Sequence, residues 1–440
     1  MREPLIRIGI SEGKPVVRVK LHGPFRYRNK IWDATGITVI TVTPDNGFII
    51  AGLPSAQKRL KIRRLRLTPA GDSTFSLSGV KIGIGFHWER DDEQTFSGSL
   101  ELTAGTGGIS VVNEIRMEEY LKSVISSEMS AAAPIEFLKA HAIASRSWLG
   151  SMLEKKRRPA EKSYPDGPDH IRWYDREDHG RFDVCADDHC QRYQGISKII
   201  SGNAARAVAE TGGTFLVYGG HVCDARYYKA CGGITENFSS AWEDANIAYL
   251  SSVSDSEVRH APVAGETGAE RWIASNPDAF CNTNDGDLLG RILPDFDQGT
   301  GFFRWTVEYA REELEEIIRR KSGMDFGTLE SLVPLQRGPS GRIVRLRITG
   351  SIKTLVIGKE LEIRKWLSPT HLLSSAFIVE VLEGKDGKPS RFTLKGAGWG
   401  HGVGMCQIGA AVMASRGYRA DQILKHYFPG ASLKKLYQAG

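Results

Sequence analysis

Near the C-terminus, the run Gly396-Ala-Gly-Trp-Gly-His-Gly-Val-Gly-Met-Cys-Gln-Ile-Gly409 sets a few large functional side chains on a backbone largely free of Cβ atoms. Six of its fourteen residues are glycine, interleaved with Trp399, His401, Met405 and Gln407. Such a backbone suits close approach to a ligand or unusual dihedrals in a buried site; the plain alternative is a turn-rich connector. It does not read as a nucleotide loop. No glycine falls at the third position of the dinucleotide fingerprint, and no Gly-Lys-Ser/Thr follows to cradle phosphate. No nucleotide or redox cofactor is expected.

A second chemical spacing is His179-x5-Cys185-x3-His189-Cys190, which puts two imidazoles and two thiols within twelve residues of a polar loop. That donor set suits a tetrahedral structural zinc, closed because protein fills all four positions. The alternatives are a local Cys185–Cys190 disulfide in an exported protein, or free thiols in a reducing one. The six cysteines, at 185, 190, 223, 231, 281 and 406, are too few for a disulfide framework in 440 residues. Their crowding into the middle of the chain points to a local site.

A chain of this length has room for two or three domains. Its 41% apolar and 25% charged content is ordinary for a folded protein with substantial cores. The formal charge of +6 is spread along the sequence, with short runs such as Lys58 to Arg66 and Lys155 to Arg158. That is too diffuse for a nucleic-acid footprint and reads as solvated faces. No run of 18 apolar residues occurs, so no integral membrane segment is expected. Met1 to Ile10 lacks the apolar core of a signal peptide and turns directly into strand-like alternation.

The elements that must position these residues follow from periodicity. Up to about Ser110 the chain alternates in short runs (Val16 to Leu21, Ile37 to Val42, Leu60 to Leu67, Phe96 to Leu102), with a hairpin mark at Pro44-Asp-Asn-Gly47. From Val112 to Met129 the period becomes helical, with Met117, Tyr120, Leu121, Val124 and Ile125 on one face. A second helix is expected from Pro134 to Lys156. Residues 157–200 read as a polar loop, Ala205 to Glu210 as a helix and Thr214 to Tyr218 as a strand. Residues 255–300 are weakly patterned. Further on, Arg311 to Lys321 reads as a helix, and Ile343 to Ile348, Thr354 to Ile357 and Phe377 to Val381 as strands. Helices from Ile408 to Arg416 and Ala420 to Tyr427 close the chain.

Four ordered stretches now point one way. The helix pair Glu119-Tyr-Leu-Lys-Ser-Val-Ile-Ser-Ser-Glu-Met129 with Leu138-Lys-Ala-His-Ala-Ile-Ala-Ser-Arg146, the segment Tyr228-Lys-Ala-Cys-Gly-Gly-Ile-Thr-Glu-Asn237, the run Gly398 to Ala410, and the close Ile423-Leu-Lys-His-Tyr-Phe-Pro-Gly430 resemble the stage II sporulation protein D (SpoIID/LytB) family. The resemblance spans roughly residues 96–440 and is poor over 255–335. It implies an α+β fold, with short helices packed on mixed or antiparallel β structure after an N-terminal all-β unit. The expected division is residues 1–95 for the β-rich unit, 96–254 and 336–440 for the two parts of a catalytic domain, and 255–335 for an insertion or variable region. In that domain the Glu128 helix is expected to face the glycine-rich segment.

The family resemblance implies a lytic transglycosylase acting on peptidoglycan glycan strands, or, as in some members, an enhancer of a cell-wall amidase. A cell-envelope location would follow. A lytic transglycosylase needs one carboxyl group. The 6-hydroxyl of the muramic acid unit attacks its own anomeric carbon, so one glutamate acts first as general acid and then as general base, leaving a 1,6-anhydro end. Glu128 occupies the family's Ser-Glu-Met position and is the expected acid, its proton held towards neutral pH by partial burial. Arg146 matches the family's functional arginine, to orient Glu128 or bind a substrate oxygen, with a structural ion pair as the alternative. Tyr228, Lys229, Gly232, Gly233 and Thr235 would form a second wall, and Trp399, His401 and Gln407 a third, with the indole as a platform for a sugar ring.

Two departures from the family are visible. Cys231 and Cys406 stand where the family has serine, so the two thiols could approach each other, or Cys231 could pair with Cys223 or Cys281. A Cys–His hydrolase, with either thiol as nucleophile and His401 as base, is a further reading. Some members hold zinc in the His/Cys loop, although the step from the first cysteine to the His-Cys pair is one residue shorter here.

Overall fold

The computed structural model describes residues 2–28, 30–32, 37–52, 59–85, 88–105, 107–156, 167–174, 179–294, 297, 301–385 and 387–438. Parts of the expected charge runs at 58 and 157–158, and of the loops at 157–166, 175–178 and 295–300, lie outside them. The chain is α+β and divides into two compact units that interleave in sequence. The first comprises residues 1–133, 178–214 and 435–440; the second comprises 134–177 and 215–434.

In the first unit, strand alternation buries one apolar face per strand. Val17, Val19 and Leu21 of Val17–His22 are buried, as are Leu65 and Leu67 of Arg64–Pro69. The strands form a seven-stranded and a six-stranded sheet. The run expected as one strand over Leu60 to Leu67 is two. Arg59–Ile62 pairs with Phe48–Gly52 in the six-stranded sheet, and Arg64–Pro69 pairs with Ser99–Gly105 in the other. At the expected hairpin, Asp45 pairs with Phe48 around Asn46 (φ 44°) and Gly47 (φ 77°), the left-handed pair that a two-residue turn needs.

The central strand Gly108–Arg116 takes the first residues of the expected helix and runs straight into Met117–Glu128. Glu118 and Glu119 sit in that helix's first turn, where they complement its dipole. Met117, Tyr120, Leu121, Val124 and Ile125 are all buried. Tyr120 stacks on Tyr193 with ring centroids 5.2 Å apart, and its hydroxyl donates to Gln191 at 3.0 Å. This helix therefore fastens the far end of the 179–194 loop.

In the second unit, Ile135–Lys156 is the longest helix described. Arg304–Ala310, Pro389–Ala397 and Phe377–Glu383 form a three-stranded sheet, and Thr354–Gly358, Ile343–Gly350 and Leu329–Arg337 belong to a four-stranded one. Helices Arg311–Ser322 and Glu360–Trp366 contribute Leu314, Ile317, Ile318, Ile363 and Trp366 to one core. The sheets supply its other side with Leu346, Ile348, Ile357, Phe377, Phe392 and Leu394.

Residues 255–300, read as weakly patterned, hold two short helices, Gly265–Ala274 and Gly286–Ile292. Each buries only one pair of side chains four residues apart, Ala269 with Ile273 and Leu288 with Ile292.

Candidate functional site

Glu128 is the last residue of its helix and is half-buried. Its Oε1 accepts a hydrogen bond from the backbone N–H of Arg192 at 3.0 Å. Arg192 is held in turn: its Nε donates to Asp188 at 2.5 Å, and its guanidinium lies 4.4 Å from the Trp88 ring centroid. The carboxylate thus has a fixed orientation relative to the loop that carries the His/Cys spacing.

That loop is built onto the sheet edge. Val184–Cys185 pairs in parallel with Ile8 and Gly9, and the Asp187 carboxylate accepts from the backbone N–H groups of Gly83 and Ile84, both at 3.1 Å. Phe182 lies against Gly9, where a Cβ would come within 2.4 Å of the ring. The ligand atoms of His179, Cys185, His189 and Cys190 all lie within 4.8 Å of one another. His179 Nε2 is 3.3 Å from Cys190 Sγ, and His189 Nδ1 is 3.4 Å from Cys190 Sγ and 3.8 Å from Cys185 Sγ. A tetrahedral zinc with ordinary bond lengths has ligand-to-ligand edges of roughly 3.3–3.8 Å, so the four side chains fit a metal ion. Hydrogen bonding with the Cys190 thiol, then with His179 and His189, outweighs burial and pulls the Cys185 thiol far down.

The remaining expected site residues belong to the second unit. The glycine-rich run lies along residues 226–236. Tyr227 and Tyr228 pair with Met405 and Cys406, Ala230 with Trp399, and Glu236 with Val403. Glycines 398, 400, 402 and 404 all have positive φ, alternating with residues whose side chains are used. The close approach is tight at all four: a Cβ on Gly398 would sit 2.7 Å from the Cys231 carbonyl, and one on Gly400 would sit 2.9 Å from the Tyr228 Cβ. A Cβ on Gly402 would sit 2.5 Å from the Arg342 guanidinium, and one on Gly404 would sit 2.2 Å from the Arg226 carbonyl oxygen.

His401 packs edge-on against Tyr228 and Trp242, and its Nδ1 accepts from the Val403 N–H at 3.1 Å. Burial, then the charges of Arg226, Arg342 and Arg364, holds its pKa well below the usual value. His401 is a neutral imidazole that fixes the backbone of the run. Trp399 is 9% exposed and lies 5.7 Å from Lys229 Nζ, which pairs with Asp297 at 2.8 Å. Tyr228, Lys229, Thr235 and Gln407 are buried. Gly232 and Gly233 have positive φ and turn the chain between Cys231 and Ile234. Arg146 is fully buried, with its Nη1 3.5 Å from the Ala142 carbonyl.

All six cysteines are free thiols. Cys231 and Cys406 do meet: the Cys231 N–H donates to Cys406 Sγ at 3.3 Å, and Cys231 Sγ is 3.4 Å from Cys281 Sγ. The Cys–His arrangement is not formed, since neither thiol is hydrogen-bonded to His401 among the described residues.

Sequence reasoning missed three side chains here. His141 is fully buried, stacks on Phe137 and contacts Gln407 Nε2 at 3.3 Å through its own Nε2. Burial, then the charge of Lys229, pushes its pKa down to about 3. Arg342, also fully buried, donates to the carbonyls of Gly400 and Cys231 and to the Ser340 hydroxyl. Glu236 completes the network by accepting from Ser340, Asn237 and Ser240. Glu236 stands within the Tyr228 to Asn237 motif, whereas no local pattern marks Arg342.

Residues 105–218 match the family model for stage II sporulation protein (SpoIID), and residues 236–404 match a domain family of unknown function, DUF8618. Stage II sporulation protein D of Bacillus amyloliquefaciens is 26% identical over 74% of this chain and 76% of its own length. The amidase enhancer of Bacillus subtilis is 26% identical over 71% of this chain, which spans 40% of the enhancer's length. An uncharacterized protein of Brachyspira hyodysenteriae is 23% identical over 98% of this chain and 92% of its own length. Among the described residues no helix is long and apolar enough to cross a membrane. Over residues 105–218 the chain is therefore similar to the SpoIID family, and over about three quarters of its length it is similar to stage II sporulation protein D.

Proposed function

We propose that the chain is a peptidoglycan lytic transglycosylase of the cell envelope, cleaving the bond between N-acetylmuramic acid and N-acetylglucosamine with Glu128 as general acid and base. The observation that carries this reading is the Glu128 carboxyl group, half-buried at a helix end and held by the Arg192 N–H at 3.0 Å. An acid fixed in one orientation can protonate the leaving oxygen and then accept the proton of the attacking 6-hydroxyl without repositioning. The two steps leave a 1,6-anhydro end and consume no water. Arg146, Tyr228, Lys229, Gly232, Gly233, Thr235, Trp399, His401 and Gln407 are read as the residues that shape a glycan-binding surface, chiefly by positioning the glycine-rich run. The ion of the His/Cys loop is read as zinc, which, when bound, supplies a structural tie rather than an activated water, because four protein ligands close its shell.

The similarity to the amidase enhancer favours a second reading, a wall-binding partner that stimulates an amidase without cleaving sugar. One experiment separates the two. Purified peptidoglycan, with and without prior amidase treatment, is incubated with wild type or Glu128→Gln and the products are weighed by mass spectrometry. Anhydro-ended fragments from wild type, reduced by a factor of about 10²–10⁴ in the variant, are expected for loss of the acid. Release of no fragments by either protein, with both accelerating an added amidase, would replace the enzyme reading by the enhancer reading.

A further inference from the structure

We infer that Cys231, Asp255, Cys281 and Cys406 form a second closed metal centre, which takes a zinc-like divalent cation through three thiolates and one carboxylate. The four ligand atoms lie within 4.8 Å of one another. They come from four separate stretches of the second unit: the Cys-Gly-Gly turn, the 254–256 segment, the link between Gly265–Ala274 and Gly286–Ile292, and the glycine-rich run. Cys231 is 2% exposed and the other three are fully buried. The edges of a tetrahedral zinc site with mixed sulfur and oxygen ligands are roughly 3.4–3.8 Å, and the Cys231–Cys281 sulfur separation is 3.4 Å.

Two independent features suit anionic ligands. Backbone N–H groups are aimed at the sulfurs, from Gly233 to Cys231 at 3.3 Å, from Cys231 to Cys406 at 3.3 Å and from Gly409 to Cys406 at 3.4 Å. Cys406 also caps the Gln407–Ser415 helix, whose N-terminal dipole favours a thiolate. The Asp255 carboxylate accepts from the Cys281 N–H at 2.9 Å and from the Tyr427 hydroxyl, with no lysine or arginine at ion-pair distance among the described residues. A buried carboxylate without a cation is costly, and a divalent ion provides the missing positive charge.

Binding needs the three thiols and the Asp255 carboxyl all ionised, so whatever protons they carry go to solvent and the centre is left with a net charge of −2. Arg342 and Arg304 lie close enough to offset it, since they donate to the carbonyls of Cys231 and Gly232 at 3.2 and 3.1 Å. A disulfide is the competing fate of such thiols. It would use two sulfurs and leave the third thiol and Asp255 without a role. The metal instead ties the Cys-Gly-Gly turn to the glycine-rich run through Cys231 and Cys406.

The test is metal stoichiometry. The full chain, prepared untagged under reducing conditions with zinc supplied, should carry two equivalents by elemental analysis. Cys185→Ser/Cys190→Ser should carry one, and adding Cys281→Ser should remove it. With cobalt in place of zinc, the Cys185→Ser/Cys190→Ser protein should show a near-ultraviolet thiolate-to-metal band of three-thiolate intensity, weakened by a third or more in the further variant Cys406→Ser. A single equivalent that Cys185→Ser/Cys190→Ser loses and Cys281→Ser keeps, or a Cys231–Cys281 disulfide peptide from the reduced preparation, would overturn the inference. Where a variant fails to fold, the cobalt band of the wild type decides: two-thiolate intensity alone overturns the inference, whereas a three-thiolate contribution upholds it.

Discussion

Arg342 shows how much of this molecule rests on single buried side chains. Its fork reaches the Gly400 carbonyl through Nε and Nη2 at 3.1 and 3.0 Å, and the Ser340 hydroxyl and Cys231 carbonyl through Nη1. Ser340 passes the network on to the buried Glu236 carboxylate. Removing the guanidinium leaves these acceptors unsatisfied and Glu236 without its nearby positive charge. Arg342→Met should therefore cost about 3–5 kcal/mol in urea denaturation. Arg342→Lys should recover little of it, because an ammonium cannot span the same fork. A loss under about 1 kcal/mol for either, the net worth of one ordinary hydrogen bond, would show that the network does not hold the run. The convergence of the His/Cys loop was legible because its spacing carried it. Arg342 was not, since its role depends on partners 58 and 111 positions away in sequence.

At the scale of elements, the glycine-rich run is a strand-like segment made possible by its missing side chains. A Cβ on Gly404 (φ 84°) would sit 2.2 Å from the Arg226 carbonyl oxygen, whereas one on Gly417 (φ 91°) would meet nothing within 4 Å. Both alanine substitutions incur the left-handed backbone cost of about 1–2 kcal/mol. Only Gly404→Ala adds a clash with backbone, so its total should reach roughly 3–5 kcal/mol. Equal losses of thermal stability would refute the close-approach account. Periodicity revealed the elements whose buried faces are long: Met117–Glu128 buries five apolar side chains at helical spacing, and the hairpin at Asn46-Gly47 announces its own turn. It failed where the pattern is short or continues across a break. Gly286–Ile292 offers only Leu288 and Ile292, and the alternation from Leu60 to Leu67 gives no sign that the chain changes sheets at Arg63.

For the whole molecule, the interleaving of two units in sequence leaves no composition shift to read, and acid stability is where contributions of opposite sign meet. His141 and His401 are buried neutral, with pKa values depressed to about 3 and well below the ordinary value respectively. In the unfolded chain a histidine titrates near 6.5, so below that pH the unfolded state binds protons that the folded state refuses. Each therefore contributes stability that is present above about pH 6.5 and is lost as pH falls towards its folded pKa. The slope is about 1.4 kcal/mol per pH unit for one histidine. Glu236 acts in the opposite sense: burial raises its pKa, so its contribution is present at low pH and is lost as pH rises through the folded value. The net curve is a sum, and a difference between variants isolates one contributor. Between about pH 6 and pH 4, His141→Gln should flatten the fall in unfolding free energy by about 1.4 kcal/mol per unit relative to wild type, whatever its offset at neutral pH. Urea midpoints at three pH values suffice, and parallel curves would mean that His141 takes up its proton in the folded protein, contrary to its burial against Phe137 and Gln407.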